Sequence, residues 1–370
     1  MNTERNKISG VQLMFLVTAF VQGSILLTSF TVGLTRHDTW LVVLSGLIVI
    51  APFILSYCVL LKRFKGLNLI QIHDIVYGKY IGKAVSLYYI FFVFLTMSFN
   101  LRDLGDFYAT FLMPDTPLIF FIAVFILVCA YAVWKGIKIV GSICHLFVFN
   151  TFFIIAGTFL LLLKDMDFSN FLPVFDLPLK NFIQGTHIIS SIPYGELVIF
   201  LVIGASLKDS KQTTKSIFSG LLLGAISMLL VTIRNTAVLG STETILISPS
   251  FQSVRLIDFG RVFTRMDLVI GISQTLMFFI KNSLYYYVLV VALAQLLGLR
   301  SYFSLILPIG AIETILALTA FESSVEHQLI TISAGIIYSI PVIYIFPPLS
   351  LLLSRLRNLP KQRSDEKTCS

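Results

Sequence analysis

Glu196, in the run HIISSIPYGELVIF, and Lys281, in LMFFIKNSLYYY, are an acid and an ammonium set in segments otherwise free of Asp, Glu, Lys and Arg. Each stands near the middle of a stretch long enough to cross about 30 Å of hydrocarbon, where a lone charge costs roughly 2.5 to 3.5 kcal/mol. Such a group must face a counter-charge, a ligand or a water-filled cavity. The chemistry open to this pair is recognition of charge. Lys281 can hold a carboxylate or stand where a coupling cation would sit, and Glu196 is its natural counter-ion. A purely structural pair, or a Lys281 bonded to free backbone carbonyls, satisfies the same physics, so these roles remain alternatives at this point.

A second polar group, Asn100, Arg102, Asp103 and Asp106, lies in another apolar run. Arg102 and Asp106 are spaced i, i+4 and can pair on one helical face; an external vestibule is the alternative, because Asp106 is near the end of its run. Arg234, also near the end of an apolar run, is expected to snorkel. Glu313 is expected as a buried protonated carboxyl, with a proton-sensitive group as the alternative. Of the successive Tyr285, Tyr286 and Tyr287, at most two can face one pocket. The sequence has no nucleophile–base set, metal-ligand spacing or phosphate-cradling glycine loop, so neither a catalytic residue, a metal nor a cofactor is expected. Cys58, Cys129, Cys144 and Cys369 make no disulfide or metal pattern.

These side chains need elements to hold them, and the composition says which. Only 12% of the 370 residues are charged and 56% are apolar, against roughly 25% charged in an average soluble domain. Mean hydropathy is +0.90, which excludes both a soluble globule and a disordered chain. The net charge of +8 is spread over short loops rather than one solvated face, which argues against nucleic acid. The partner implied is the lipid bilayer.

Ten runs are long and apolar enough to span it: 11–34, 39–61, 84–112, 117–134, 140–163, 183–206, 216–240, 268–298, 302–320 and 328–353. The stretch 64–82 is too polar and reads as a surface helix. The first run lacks a small-residue cleavage site and is expected to be retained. With the N terminus inside, 18 of the 27 Lys and Arg fall on the inner side and 6 on the outer, so both termini are expected to be cytoplasmic. The expectation is one all-α membrane domain over 1–354, followed by a basic tail over 355–370.

Ten spans divide five plus five, over about 8–164 and 180–354, and five is odd, so the halves would be inverted repeats. In such folds the binding site is marked by interrupted helices at matching positions. Span one carries Gly23 and Ser24 at its centre, and span six carries Ser190, Ser191, Pro193 and Gly195. Pro193 has no N–H to give its helix, and backbone freed at that depth is tolerated only against protein or a wetted cavity.

Read in order, KISGVQ at 7–12, DTW at 38–40, YGKYIGK at 77–83, SIPYGE at 191–196, RLIDFG at 255–260, FTRMD at 263–267 and FFIK at 278–281 resemble the GerAB-type endospore germination permeases, the B subunits of bacterial spore germinant receptors. That family is similar to the amino acid permeases of the APC superfamily, which implies a LeuT-like inverted repeat with spans one and six broken. The resemblance implies a subunit of the spore inner membrane that binds a small germinant such as an amino acid, together with A and C subunits. It carries over Gly23, Ser24, Thr96, Asn100, Pro193, Tyr194, Gly195, Glu196, Lys281 and Asn282 as ligand-binding positions. A proton-coupled amino acid transporter fits the same features, and an ion path through Glu196, Lys281 and Asp106 is a third reading.

Overall fold

The computed structural model describes residues 7–25, 29–208, 211–257 and 266–360, and these are almost wholly helical. Hydrocarbon offers no partner to backbone N–H and C=O groups, so apolar runs must satisfy them within each segment. The chain begins with α1 (Gly10–Gln22), started by a capping box in which Ser9 and Gln12 exchange side-chain to backbone bonds. At about 1.5 Å per residue, its 13 residues reach only part of the way across a bilayer. Span one resumes as α2 (Ser29–Thr35).

Span two is α3 (Thr39–Arg63). The polar stretch after it forms the short α4 (Leu69–Tyr77), whose buried face is Leu69, Ile70, Ile72, His73 and Val76. His73 is pushed down to about 3 by burial and stays neutral, its Nδ1 lying 3.0 Å from the Ser86 hydroxyl. Gly78, at φ +84°, makes the left-handed turn into α5 that a side chain would strain. Span three, α5 (Lys79–Phe107), therefore starts five residues before the expected boundary. The next two spans are α6 (Leu118–Lys135) and α7 (Ile137–Leu161).

Span six starts as α8 (Leu179–Ile189), breaks, and continues to Ser206 through the short α9 (Phe200–Ile203). Span seven is α10 (Thr213–Leu239); α11 (Pro249–Arg255) crosses its far end, and span eight is α12 (Met266–Leu296). Span nine, α13 (Phe303–Thr319), bends by 103° into α14 (Ser324–Ile332). Span ten comprises α15 (Ala334–Ile340) and α16 (Phe346–Leu356). Among the described residues, eight helical runs are long and apolar enough to cross alone, and the bent pair makes a ninth. The difference from ten lies in span one, whose first half is the short α1 and whose second half runs on into α3 as Phe30–Arg63.

Residues 8 and 207 pair at one end of the bundle, where Arg63 also bonds the Ser354 and Leu359 carbonyls. The described chain both begins and ends there. The opposite end is built from the loops after spans one, three, five, seven and nine.

Packing of α1 on α10 depends on small residues, the usual device where helices associate without a hydrophobic drive. A Cβ on Gly220 would sit 2.5 Å from the Met14 carbonyl oxygen, and one on Gly224 would sit 2.5 Å from Val21 Cβ. Ser227 extends the same face and accepts from Gln22 Nε2 at 2.9 Å. Gly224→Leu should therefore separate the two helices at a cost of about 1–3 kcal/mol or more. The measurement is the thermal midpoint of the detergent-solubilised protein, with Gly157→Ala, where nothing lies within 4 Å, as the control that leaves it unchanged or raised.

Candidate ligand-binding site

The first helix break is held against α12. Gly23 closes the last turn of α1 by donating to the Ala19 carbonyl, and its own freed carbonyl accepts from Gln274 Nε2 at 3.3 Å. A Cβ here would lie 3.1 Å from the Met277 carbonyl oxygen and 3.2 Å from Lys281 Cβ. Glycine is thus favoured by close approach rather than by flexibility.

The second break follows from Pro193. Ile192 leaves the helix at φ −125°, ψ 112°, and the chain turns over Ser190–Tyr194 before re-entering a tight helix at Gly195–Ile199. Ser190 and Ser191 are bonded to the Tyr344 hydroxyl at 2.8 and 3.1 Å. Gly195 lies against Ile343 and the Ser190 carbonyl, so a larger residue would push span ten away. Glu196 emerges one residue later.

Lys281 ties the two breaks together. Its Nζ donates to Ser24 Oγ at 2.6 Å and lies 2.8 Å from Glu196 Oε2. It also stands 5.2 Å from the Phe20 ring centre and 5.8 Å from that of Tyr285. Lys281 is fully buried and Glu196 is 2% exposed. A positive charge held between the ends of two broken helices occupies the position in which this kind of architecture places a coupling cation.

Four of the ten carried-over residues, Gly23, Ser24, Glu196 and Lys281, therefore meet at one point. Thr96 joins them through Tyr338, whose hydroxyl is 3.3 Å from Thr96 Oγ1 and within electrostatic reach of Glu196. Asn100 donates to the Thr96 carbonyl and Asn282 to that of Phe278, each along its own helix. Among the described residues, Asn100 Oδ1, Asn282 Oδ1 and the Tyr194 hydroxyl are buried without partners. Such groups are uncommon and call for a ligand or water. Pro193, Tyr194 and Gly195 supply the shape of the break.

Space lies on both sides of the lysine. One turn before it on α12, Phe278 lines a cleft of about 60 Å³ toward the far end. Two turns beyond it, Tyr287, Val291 and Gln295 line a cavity of about 280 Å³ with Asn68, Gln71 and Ser206 toward the terminal end. The Lys281–Glu196–Ser24 contact lies between them along α12.

The remaining charges divide differently. Arg102 pairs with Asp106 at 2.9 Å as the spacing predicts, and it also donates to the Phe321 carbonyl at 3.0 Å. Glu313 is buried and accepts from Ser98 at 2.5 Å. Arg234 does not snorkel: it is 2% exposed and donates to Thr158 and Asn235, each at 2.8 Å. The reason is α11, which folds over it and brings Ser250 onto Asn235. Of the three tyrosines, Tyr285 faces Glu196, Tyr286 bonds the Ile306 carbonyl and Tyr287 packs on Tyr302. Residues 258–260 of RLIDFG, 263–265 of FTRMD and the tail from 361 lie outside the described residues.

The missed site residues are Tyr338, Tyr344, Gln274 and Phe20. Gln274 sits two helical turns before Lys281 on the same helix, a signal that was legible. Tyr338 and Tyr344 come from the distant span ten, and nothing local to them announced their partners.

The fold and the paired breaks define a membrane protein with a LeuT-like fold. The structure superimposes on that of MhsT in complex with L-phenylalanine with a TM-score of 0.66 at 15% identity, covering 94% of this chain and 88% of that one. It superimposes on Mhp1, a nucleobase-cation-symport-1 family transporter with bromovinylhydantoin bound, with a TM-score of 0.63 at 13% identity, covering 94% and 78%. The chain belongs to the spore germination protein family, whose model matches residues 7–325. Among relatives, spore germination protein KB of Bacillus subtilis is 27% identical, with 94% of this chain and 93% of that one aligned. Spore germination protein B2 of the same organism is 23% identical over 74% of this chain and 76% of that one.

Proposed function

We propose that this chain is the membrane subunit of a spore germinant receptor, and that a small germinant, an amino acid, binds between the two broken helices and triggers germination. The observation that carries the reading is the Lys281 ammonium held by Ser24 of one break and Glu196 of the other. An amino acid zwitterion is the inverse of that pair: its carboxylate replaces Glu196 against Lys281, and its ammonium replaces Lys281 against Glu196. Every buried charge stays compensated during the exchange, which keeps the desolvation penalty of either ion from appearing. The likeness to a fold solved with L-phenylalanine supports the same ligand class.

Binding that separates Lys281 from Glu196 favours an arrangement in which the breaks are apart, and the receptor shifts by the difference in affinity for the two arrangements. The A and C subunits of the receptor receive that shift. In this reading both termini lie on the core side of the spore inner membrane, which the excess of Lys and Arg in the inner loops supports. No step in this scheme makes or breaks a covalent bond, so the chain acts without catalysis.

The experiment is an immunoblot of inner membranes from dormant spores beside membranes of growing cells, with detergent pulldown. The expected result is spore-restricted protein with two co-purifying subunits and loss of an amino acid response when the chain is deleted. Presence in growing cells without partners, with proton-dependent amino acid uptake into vesicles, would replace this reading by the transporter.

A further inference from the structure

Beyond the Lys281–Glu196 contact, the 60 Å³ cleft at the far end is lined by Phe30, Asp103, Asp106, Phe107, Phe278 and His327. The 103° bend after α13 folds α14 back onto α5, which brings His327 to Asp103 and Asp106. Its Nδ1 lies 3.5 Å from Asp103 Oδ1 and 3.8 Å from Asp106 Oδ2, distances beyond a good hydrogen bond. Asp106 is already compensated by Arg102 at 2.9 Å. Asp103 is not paired in that way, so with a neutral His327 the described side chains of the cluster carry one excess negative charge. His327 is 1% exposed, and its Nε2 is buried without a partner among the described residues. A buried imidazole nitrogen left unsatisfied beside an undercompensated carboxylate asks for a ligand that both donates hydrogen bonds and carries positive charge.

We propose that this cleft is a second binding site, separate from the helix breaks, for a primary ammonium group. Donors on one nitrogen match the carboxylate acceptors gathered there, Asp103 and the second oxygen of Asp106, with the His327 ring closing the side of the cleft. Phe30, Phe107 and Phe278 line the same cleft, and aromatic rings attract a cation placed over their faces. The space suits the group, since a water needs roughly 10–15 Å³ on this measure and 60 Å³ takes an ammonium with one or two carbons. Anions are repelled by the carboxylates, and a neutral alcohol leaves the excess charge uncompensated. The described residues form no group able to hold a metal ion. The site stands on its own geometry and does not rest on the germinant reading.

The test uses the full chain in lipid nanodiscs and saturation-transfer NMR with ethylammonium, ethanol and acetate as probes. Ethylammonium is expected to bind saturably and ethanol and acetate not to, a comparison that needs no variant. Asp103→Asn should weaken ethylammonium by about tenfold or more, the loss of one hydrogen bond to a charged group. His327→Phe, which keeps the ring volume and removes both nitrogens, should weaken it as well. Equal binding of ethylammonium and ethanol would overturn the proposal. So would ethylammonium binding that survives Asp103→Asn and disappears in Glu196→Gln, because the ammonium would then sit at the helix breaks. Failure of the spore fractionation leaves these NMR outcomes unchanged, so the two readings fail separately.

Discussion

Lys281→Met is expected to silence the germinant response and to lower the stability of the membrane domain by about 3–5 kcal/mol, because Glu196 is left buried without its cation. Glu196→Gln should cost a similar amount for the converse reason, a buried ammonium with Ser24 as its remaining close partner. The double variant Lys281→Met, Glu196→Gln removes both charges together. Replacing a whole buried pair is often close to neutral, so the double should recover most of the lost stability, with a coupling of about 2 kcal/mol or more. It should nevertheless stay unresponsive, since nothing remains to exchange with a zwitterion. Thermal unfolding in detergent reads the first quantity, and loss of optical density by spores reads the second. A double variant that is stable and also responds to its germinant would reduce the pair to a brace between α12 and span six. Additive losses would mean that the two side chains do not share one energetic contact.

That pair was legible in the sequence because a charge amid apolar residues is conspicuous and hydrocarbon demands a counter-charge for it. The same holds for Pro193 and Gly23, whose backbone chemistry marks a break whatever surrounds it. The Arg102–Asp106 contact was legible because i, i+4 spacing is local. Arg234 was misread for the complementary reason. Its depth near the end of α10 suggested water, and only the crossing of α11, with Ser250 and Asn235 packed beside it, takes the water away. His327 falls in a stretch without long apolar periodicity, and although Ser323 caps the start of α14 by accepting from the Glu326 N–H, nothing in the turn says that the helix will carry His327 to Asp103. The glycines of α10 were missed too, although Gly220 and Gly224 stand four apart and would have marked a close-packed face. Partners within one segment can be found from its spacing; partners across segments can be found only where, as with Lys281 and Glu196, each end is conspicuous in its own run.

The ligand-binding reading also depends on how closely the first break approaches the lysine, and Gly23 measures that distance. Its Cβ position falls 3.1 Å from a backbone oxygen of α12 and 3.2 Å from Lys281 Cβ, so an added methyl forces movement of a few tenths of an ångström. Gly23→Ala should therefore keep a folded chain with a weakened response. Gly23→Val has two further methyl carbons and no room on the α12 side. The break must move away, lengthening the Lys281–Ser24 bond from 2.6 Å beyond hydrogen-bond range. The chain then resembles a receptor whose contact is already parted. Two outcomes separate the roles of the contact. If the contact holds the resting state, Gly23→Val spores should germinate without germinant, or at far lower amounts of it. If the contact instead only positions Lys281 for the ligand carboxylate, the response should vanish while immunoblots show the protein at normal level in the spore membrane. The first outcome follows from the arrangement described here, because Lys281 in this state is fully engaged by protein groups, and freeing it is the step that a ligand has to bring about. Spontaneous germination of Gly23→Val spores, suppressed by deleting the A subunit, is the expected result. A wild-type dose response in that variant would show that the two helix breaks do not communicate through this lysine.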